Sequence, residues 1–294
     1  MKAIIFGSNG QDGYYLGLLL RRSGIEVFES SRSSRSYIGN VSDYSFVSGL
    51  IQAIQPDYIF SFAANSTTKH DALFENHLTI STGTLNILES VRLYCINCKV
   101  FLSGSAMQFS NTGVPINEST PFDASSPYSV ARIQSIYLAR YYRNKFSMHV
   151  YVGYFFNHDS PFRSERHINQ KIVSAVKRIA KGSKEKFEIG DLSVRKEFAF
   201  AGDIVEGVWI LINQTEVYEA VIGTGVDYSI QRWIEICFGE FGLDWHDHVT
   251  RNPNFQPDYR RLVSDPTLIN SLGWNYVTDI DKLAYLMIHS SIAV

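Results

Sequence analysis

Lys2-Ala3-Ile4-Ile5-Phe6-Gly7-Ser8-Asn9-Gly10-Gln11-Asp12-Gly13 is the stretch that decides the fold. An apolar run short enough for one buried strand ends in glycines spaced GxxGxxG, and an amphipathic run with Leu16, Leu19 and Leu20 on one face follows. Strand, glycine turn and helix in this order form a phosphate-binding turn. Glycine permits the tight bend, lets the backbone approach a diphosphate, and lets the helix pack close to the strand. The spacing assigns Gly7, Asn9, Gly10, Gln11, Asp12 and Gly13 to a dinucleotide.

Outward from this turn the first half keeps one rhythm. Strands are expected at Lys2–Phe6, Glu26–Ser30, Tyr58–Phe62, Val100–Ser103 and His149–Gly153. Helices are expected at Asp12–Ser23, Tyr44–Ile54, Thr79–Leu93 and Tyr128–Phe146. Such alternation predicts an α/β, Rossmann-type doubly wound parallel sheet, with ligands at the carboxyl ends of its strands. Asn40-Val41, Phe62-Ala63-Ala64, Ser66 and Phe155 follow or end strands and are assigned to the same cofactor cleft. Beyond residue 154 the rhythm weakens into helical pieces (Gln170–Lys181, Asp203–Ile212, Ile230–Phe241) and proline-bearing loops. The expected division is 1–155, a cofactor-binding domain, and 156–294, mainly a smaller substrate-binding subdomain with segments returning to the sheet.

Composition narrows the partners. With 294 residues, 45% hydrophobic, 19% charged and a formal net charge of −2, nothing favours nucleic acid or an anionic membrane. No stretch reads as a signal peptide or a membrane span, and three cysteines make no disulfide framework, so a cytoplasmic location is expected. Cys95 and Cys98 form a CxxC pair and His246 and His248 a close histidine pair, but neither supplies enough ligands for a structural zinc, and no metal is expected.

The second strand ends in Glu29-Ser30-Ser31-Arg32-Ser33-Ser34-Arg35. An acid here holds the 2′-hydroxyl of NAD, whereas Arg32 pairs with the 2′-phosphate of NADP. NADP is the expected cofactor, and NAD remains possible through Glu29.

Ser105, Tyr128 and Arg132 carry the chemistry. A phenol, with an ordinary pKa of about 10, works as a base near neutrality only when a cation stabilises its phenolate. Arg132 lies one helical turn beyond Tyr128, on the same face, and both are expected to reach the nicotinamide ribose. Ser105, on a strand end 23 residues upstream of Tyr128, would orient the substrate oxygen.

This set resembles the Ser…Tyr-xxx-Lys constellation of short-chain dehydrogenases/reductases. Gly10–Leu16, Ser126-Pro127-Tyr128-Ser129-Val130-Ala131, Phe156-Asn157-His158-Asp159-Ser160-Pro161-Phe162-Arg163 and Thr224–Ser229 are similar to stretches of the GDP-mannose 4,6-dehydratases. The related GDP-4-keto-6-deoxy-mannose reductases share most of them, and the similarity runs from residue 1 to about 285. The resemblance implies an NADP-dependent enzyme of the extended type acting on a nucleotide-diphosphate sugar, as a homodimer or homotetramer. It implies contact of Asn157 with the sugar diphosphate, cofactor binding by His158 and Arg163, and contact of Lys171 and Lys196 with nucleotide phosphates.

Three departures shape the expected reaction. Arg132 stands where the family has lysine, keeping the charge but unable to release a proton. Ser105-Ala106-Met107 stands where the dehydratases have a triplet ending in glutamate, the base for the C5 proton, and neither Met107 nor Gln108 replaces it. Lys196-Glu197-Phe198 replaces Arg-Asp-Trp/Phe, and Gln256-Pro257 replaces Arg-Pro, with Arg260 or Arg261 as the substitute phosphate ligand. The expectation drawn from these is a 4-ketoreductase acting on a 4-keto-6-deoxy sugar. A 4,6-dehydratase-like enzyme, a C4 epimerase and a non-catalytic cofactor-binding homologue are the alternatives.

Overall fold

Apolar runs bounded by turn residues become the strands of one sheet, and the amphipathic runs between them become the helices that cover it. In the computed structural model, which describes residues 1–33 and 36–290, the first half runs β1 (Lys2–Phe6), α1 (Gln11–Arg22), β2 (Glu26–Ser31), β3 (Tyr37–Ile38), α2 (Tyr44–Ile54), β4 (Tyr58–Ser61), α3 (Leu73–Asn76), α4 (Gly83–Tyr94), β5 (Lys99–Ser105), α5 (Pro127–Phe146) and β6 (Val150–Phe155). The second half runs β7 (His158–Asp159), α6 (Ile168–Ala180), β8 (Phe187–Ile189), β9 (Arg195–Glu197), β10 (Ala199–Phe200), α7 (Ala201–Ile212), β11 (Glu219–Ile222), β12 (Asp227–Ser229), α8 (Ile230–Gly239), β13 (Val249–Arg251), β14 (Arg261–Leu262), α9 (Thr267–Ser271) and α10 (Ile280–His289).

The main sheet has seven strands in the order β11-β6-β5-β4-β1-β2-β3, every pairing parallel. This is the doubly wound α/β architecture expected from the alternation. The order reverses between β1 and β4, so the loops after Phe6 and Ser61 diverge to opposite faces and leave a crevice at their carboxyl ends. Ile4, Ile59 and Val100 pack on one face with α2, α4 and α5, while Ile5, Phe60 and Phe101 pack on the other with α1 and α7. Each such fully buried side chain contributes about 1.5–3 kcal/mol. A separate apolar cluster, with Trp233 and Phe238 at no exposure, holds α6, α8 and α10 together with β8 and β13.

Local signals set the elements that carry the site. Asp43 caps α2 by accepting from Ser45 and Phe46 backbone N–H groups. Ser126 caps α5, with Pro127 at its first position and a reciprocal Ser129 hydroxyl, so Tyr128 stands at a rigid helix start. The helix expected over Thr79–Leu93 begins earlier: α3 leads through a π-helical stretch, His77–Thr82, into α4. The wide turn breaks the 3.6-residue period, so only the regular portion shows in the sequence pattern. No helix among the described residues is long and apolar enough to cross a membrane.

Candidate active site

Gly7 shows why the first turn needs glycine. Its φ is +87°, and a Cβ there would lie 2.7 Å from the Ala63 backbone nitrogen. A Cβ on Gly13 would meet the Gly7 carbonyl at 2.6 Å, which is how α1 packs against the turn; Gly13 itself is buried beneath the crevice. The Ser8 hydroxyl in this turn is buried without a hydrogen-bond partner. An uncapped α1 start and an orphaned hydroxyl beside a close-packed glycine turn fit the diphosphate of a dinucleotide.

Two cavities of about 290 Å³ each meet at Phe62 and Ala64. The first collects Gly7, Asn9, Gly10, Arg32, Asn40, Val41 and Ala63. The second collects Gln11, Asp12, Ser66, Ser105, Tyr128, Arg132, Phe155, Asn157, His158 and Arg163. The remaining predicted residues stand elsewhere. Lys171 is turned away, donating to the Glu188 carbonyl at 3.3 Å. Lys196 is buried over the Phe198 ring, and Arg260 lines an adjoining cavity of about 390 Å³ that shares Met107 with the second. Arg261 lines the same cavity but is held by Asp227 at 2.8 Å and by the Gly113 carbonyl at 2.9 Å.

At the end of β2, Glu29 is paired with Arg21 at 2.5 Å, away from the position of an acid that would hold a ribose hydroxyl. Arg32 lies at the rim of the first cavity, 3.2 Å from Glu75, and Ser33 Oγ accepts from Asn9 Nδ2 at 2.9 Å. Ser34 and Arg35 of the same run lie outside the described residues.

Arg132 lines the second cavity beside Tyr128. Its guanidinium donates from Nε to the Tyr128 hydroxyl oxygen at 3.2 Å, and from Nη1 to the Ser103 Oγ at 3.0 Å and to the Ser103 carbonyl. Its planar fork reaches two anchors at once, which drives the ring of Tyr128 and the end of β5 into one fixed unit. Ser103 was missed in the sequence, although it lies two residues from Ser105 on the same strand, the spacing that shares a face. Ser105 Oγ accepts from the Met107 N–H at 3.2 Å, and Gln108 Oε1 accepts from the Ser105 N–H at 2.9 Å. The Ser105 hydroxyl proton therefore stays available for a substrate oxygen. Met107, beside it, lines the cavity with a thioether that cannot take a proton.

Across the cavity His158 Nε2 lies 2.8 Å from Asp12 Oδ1, and Nδ1 lies 2.7 Å from the Phe156 carbonyl. A carbonyl only accepts, and an ionised carboxylate only accepts, so both ring nitrogens carry protons and the ring is an imidazolium. Burial opposes both charges, but the partners prevail: Asp12 is held below the usual carboxylate range by His158, and His158 is raised by Asp12. Arg163 donates to Asp159 at 2.9 Å and to the His158 carbonyl at 3.0 Å, and Asn169 holds the other Asp159 oxygen at 2.5 Å. No local pattern marks this pairing, because its members lie 146 residues apart.

Neither candidate metal motif assembles a site. His246 is bound to Asp244 and His248 to the Glu185 carbonyl, and no cluster of three ligating side chains occurs among the described residues.

A Gly-rich turn at a sheet reversal, with Ser105, Tyr128 and a cation on one cavity, can bind a dinucleotide and exchange a proton at a substrate oxygen. The family model for GDP-mannose 4,6 dehydratase matches residues 4–287. The chain belongs to the GDP-mannose 4,6-dehydratase family. It is 29% identical over 318 residues to GDP-mannose 4,6 dehydratase 1 of Arabidopsis thaliana, covering 97% of this chain and 88% of that one. It is 30% identical over 273 residues to the GDP-mannose 4,6-dehydratase of Yersinia enterocolitica, covering 83% and 73%. Its fold matches that of RMD from Pseudomonas aeruginosa, solved with NADPH, at a TM-score of 0.85 and 17% identity over 98% of this chain and 97% of that one. This membership makes the chain a nucleotide-sugar enzyme of the extended short-chain dehydrogenase type, and its named relatives are dehydratases rather than the 4-ketoreductases put first on sequence grounds.

Proposed function

We propose that the chain is an NADP-dependent, GDP-mannose 4,6-dehydratase-type enzyme that begins by oxidising the sugar at C4. The observation that carries this is the Tyr128–Arg132–Ser103 unit. Tyr128 accepts the C4 hydroxyl proton while Arg132 stabilises its oxygen, and Ser105 donates to the same sugar oxygen. The nicotinamide, when bound, supplies the hydride acceptor.

The relatives favour dehydration over net reduction. Each net 4-keto reduction draws a proton from solvent through Tyr128. Arg132 cannot relay it, because a guanidinium keeps its protons. Epimerisation returns both proton and hydride to C4; dehydration returns the hydride to C6, and the C4 proton is balanced by the water that leaves, so neither consumes reductant. One observation favours a second reading: with Met107 beside Ser105, C4 oxidation followed by return without elimination, as in an epimerase, needs no base at C5.

GDP-mannose incubated with the enzyme and NADP, followed by mass spectrometry, separates the readings. Loss of one water is expected. An unchanged mass with a new C4 epimer would establish the second reading, and consumption of NADPH with a 4-keto sugar would reinstate the reductase.

The choice of NADP is supported by Arg32 at the cavity rim and by Glu29 being engaged with Arg21. Fluorescence titration should show NADPH binding about tenfold more tightly than NADH, a gap of about 1.4 kcal/mol that Arg32→Ala removes. Equal affinities in the wild type would return the site to NAD. In this reading residues 156–294 mainly bind the sugar nucleotide, with Asn157 and Arg163 facing it or the cofactor. Lys171 and Lys196 would meet its phosphates only after rearranging, whereas Arg260 lines the adjoining cavity. Leu85, Val130, Tyr137 and Tyr141 leave apolar surface exposed on α4 and α5, which supports a homodimer or homotetramer built on these helices.

A further inference from the structure

His167 is a titratable group in the cavity wall that the proposed reaction leaves unused. It precedes α6, whose first turn has no side-chain cap although the helix is 13 residues long. Among the described residues its ring has no hydrogen-bond partner. The charges around it are mostly positive. Arg163 approaches from the preceding loop, His158 from β7 with Asp12 behind it, and Lys196 from β9, while Asp159 is the acid in their midst. Lys196 is itself more than nine-tenths buried, with no ion pair closer than its through-space attraction to Asp159. An uncapped helix start, a free imidazole and a buried ammonium that rests on the Phe198 ring without a paired carboxylate leave local positive charge that an anion would satisfy.

We propose that His167 is a proton-coupled ligand for a diphosphate: on binding, the ring takes one proton from solvent and donates a charge-assisted hydrogen bond to a phosphoryl oxygen. In the free protein burial, then Arg163, Lys196 and His158, pull the imidazole down to about 4 against the attraction of Asp159, so it is neutral at pH 7. A diphosphate offsets those cations and raises it. A group whose pKa rises on binding favours the complex at low pH, by at most about tenfold per pH unit for one proton. The diphosphate belongs to the sugar nucleotide or to the dinucleotide cofactor, and the inference rests on the proposed function only for the first source.

Calorimetric titration of the full chain with GDP alone and with NADP alone, in two buffers of different ionisation enthalpy, tests it. Wild type should take up more protons than His167→Gln, which keeps a donor but does not titrate. The affinity ratio of wild type to variant should grow about threefold or more from pH 7.5 to pH 5.5. The effect with GDP assigns the sugar nucleotide's diphosphate, and the effect with NADP alone assigns the cofactor's. Equal proton uptake by both proteins with both ligands, or a constant affinity ratio at every pH, overturns the proposal. If His167→Gln does not fold, His167→Asn replaces it. Failure of GDP to bind while NADP binds refutes the GDP-sugar reading and leaves the His167 question to the NADP titration.

Discussion

Two charged couplings face each other across the cavity, and they are built differently. On α5, Arg132 grips the Tyr128 hydroxyl and Ser103, so a full positive charge stays beside the proton-transfer group. Across from it, Asp12 and His158 cancel each other, and the Asp159–Arg163 pair beside them does the same. The first coupling concentrates charge where a phenolate would develop. The second holds the second half of the chain against the first turn. Electrostatic stabilisation works where charge appears during reaction, whereas a neutral ion pair mostly fixes geometry.

The largest effect that separates the two sides is kinetic. Tyr128→Phe should lower turnover by about 10²–10⁴-fold with NADPH affinity unchanged. Near-normal turnover in a steady-state assay would remove the proton-transfer role from the α5 side.

The opposite wall should answer in stability rather than rate. His158→Asn leaves the partly buried Asp12 carboxylate without its charged partner and should cost about 1–3 kcal/mol of unfolding free energy. The sign of its pH dependence follows from the two shifts. Asp12 is lowered from 3.8, so its contribution is present above that value and lost as pH falls through the folded value. His158 is raised from 6.5, so its contribution is complete below 6.5 and is lost as pH rises through the folded value. Denaturant titrations should show the gap between wild type and His158→Asn greatest between about pH 4 and pH 6.5 and shrinking above. A gap independent of pH from 5 to 9 would mean that the pair is not ionic.

The smallest effect tests how local the first coupling is. Arg132→Lys keeps the charge but offers a point donor in place of a fork. Turnover should stay within about tenfold, since the cation beside Tyr128 remains. A loss as large as that of Tyr128→Phe would show that the double anchor on Ser103, and not the charge, is what matters.

The α5 side was legible in the sequence because its members lie four residues apart on a helix whose cap, Ser126-Pro127, is also written locally. The sheet was legible for the same reason: each strand and helix declares its own period, and parallel order follows from alternation. The Asp12–His158 pair was not legible, because nothing in a one-dimensional pattern says that the first helix start and the segment after β6 converge. His167, Ser103 and the outward Lys171 likewise depend on tertiary placement. The π-helical stretch before α4 escaped because a wide turn has no hydrophobic signature of its own.

Strand β11 completes the sheet from far along the chain. It pairs with β6, and its Glu219 is clasped by Arg140 at 2.7 Å, Arg143 at 3.0 Å and the Tyr154 hydroxyl at 2.6 Å, which together bring a carboxyl that burial would raise down to about 2. Every residue of β6 is buried in the finished protein. During synthesis the first 155 residues leave the ribosome well before Glu219 does, so a nascent chain presents β6 as an open, apolar edge until its partner arrives. Such an edge invites pairing with another chain. Holding that intermediate apart from its neighbours is a task for chaperones, and translation speed across residues 156–222 sets how long the task lasts.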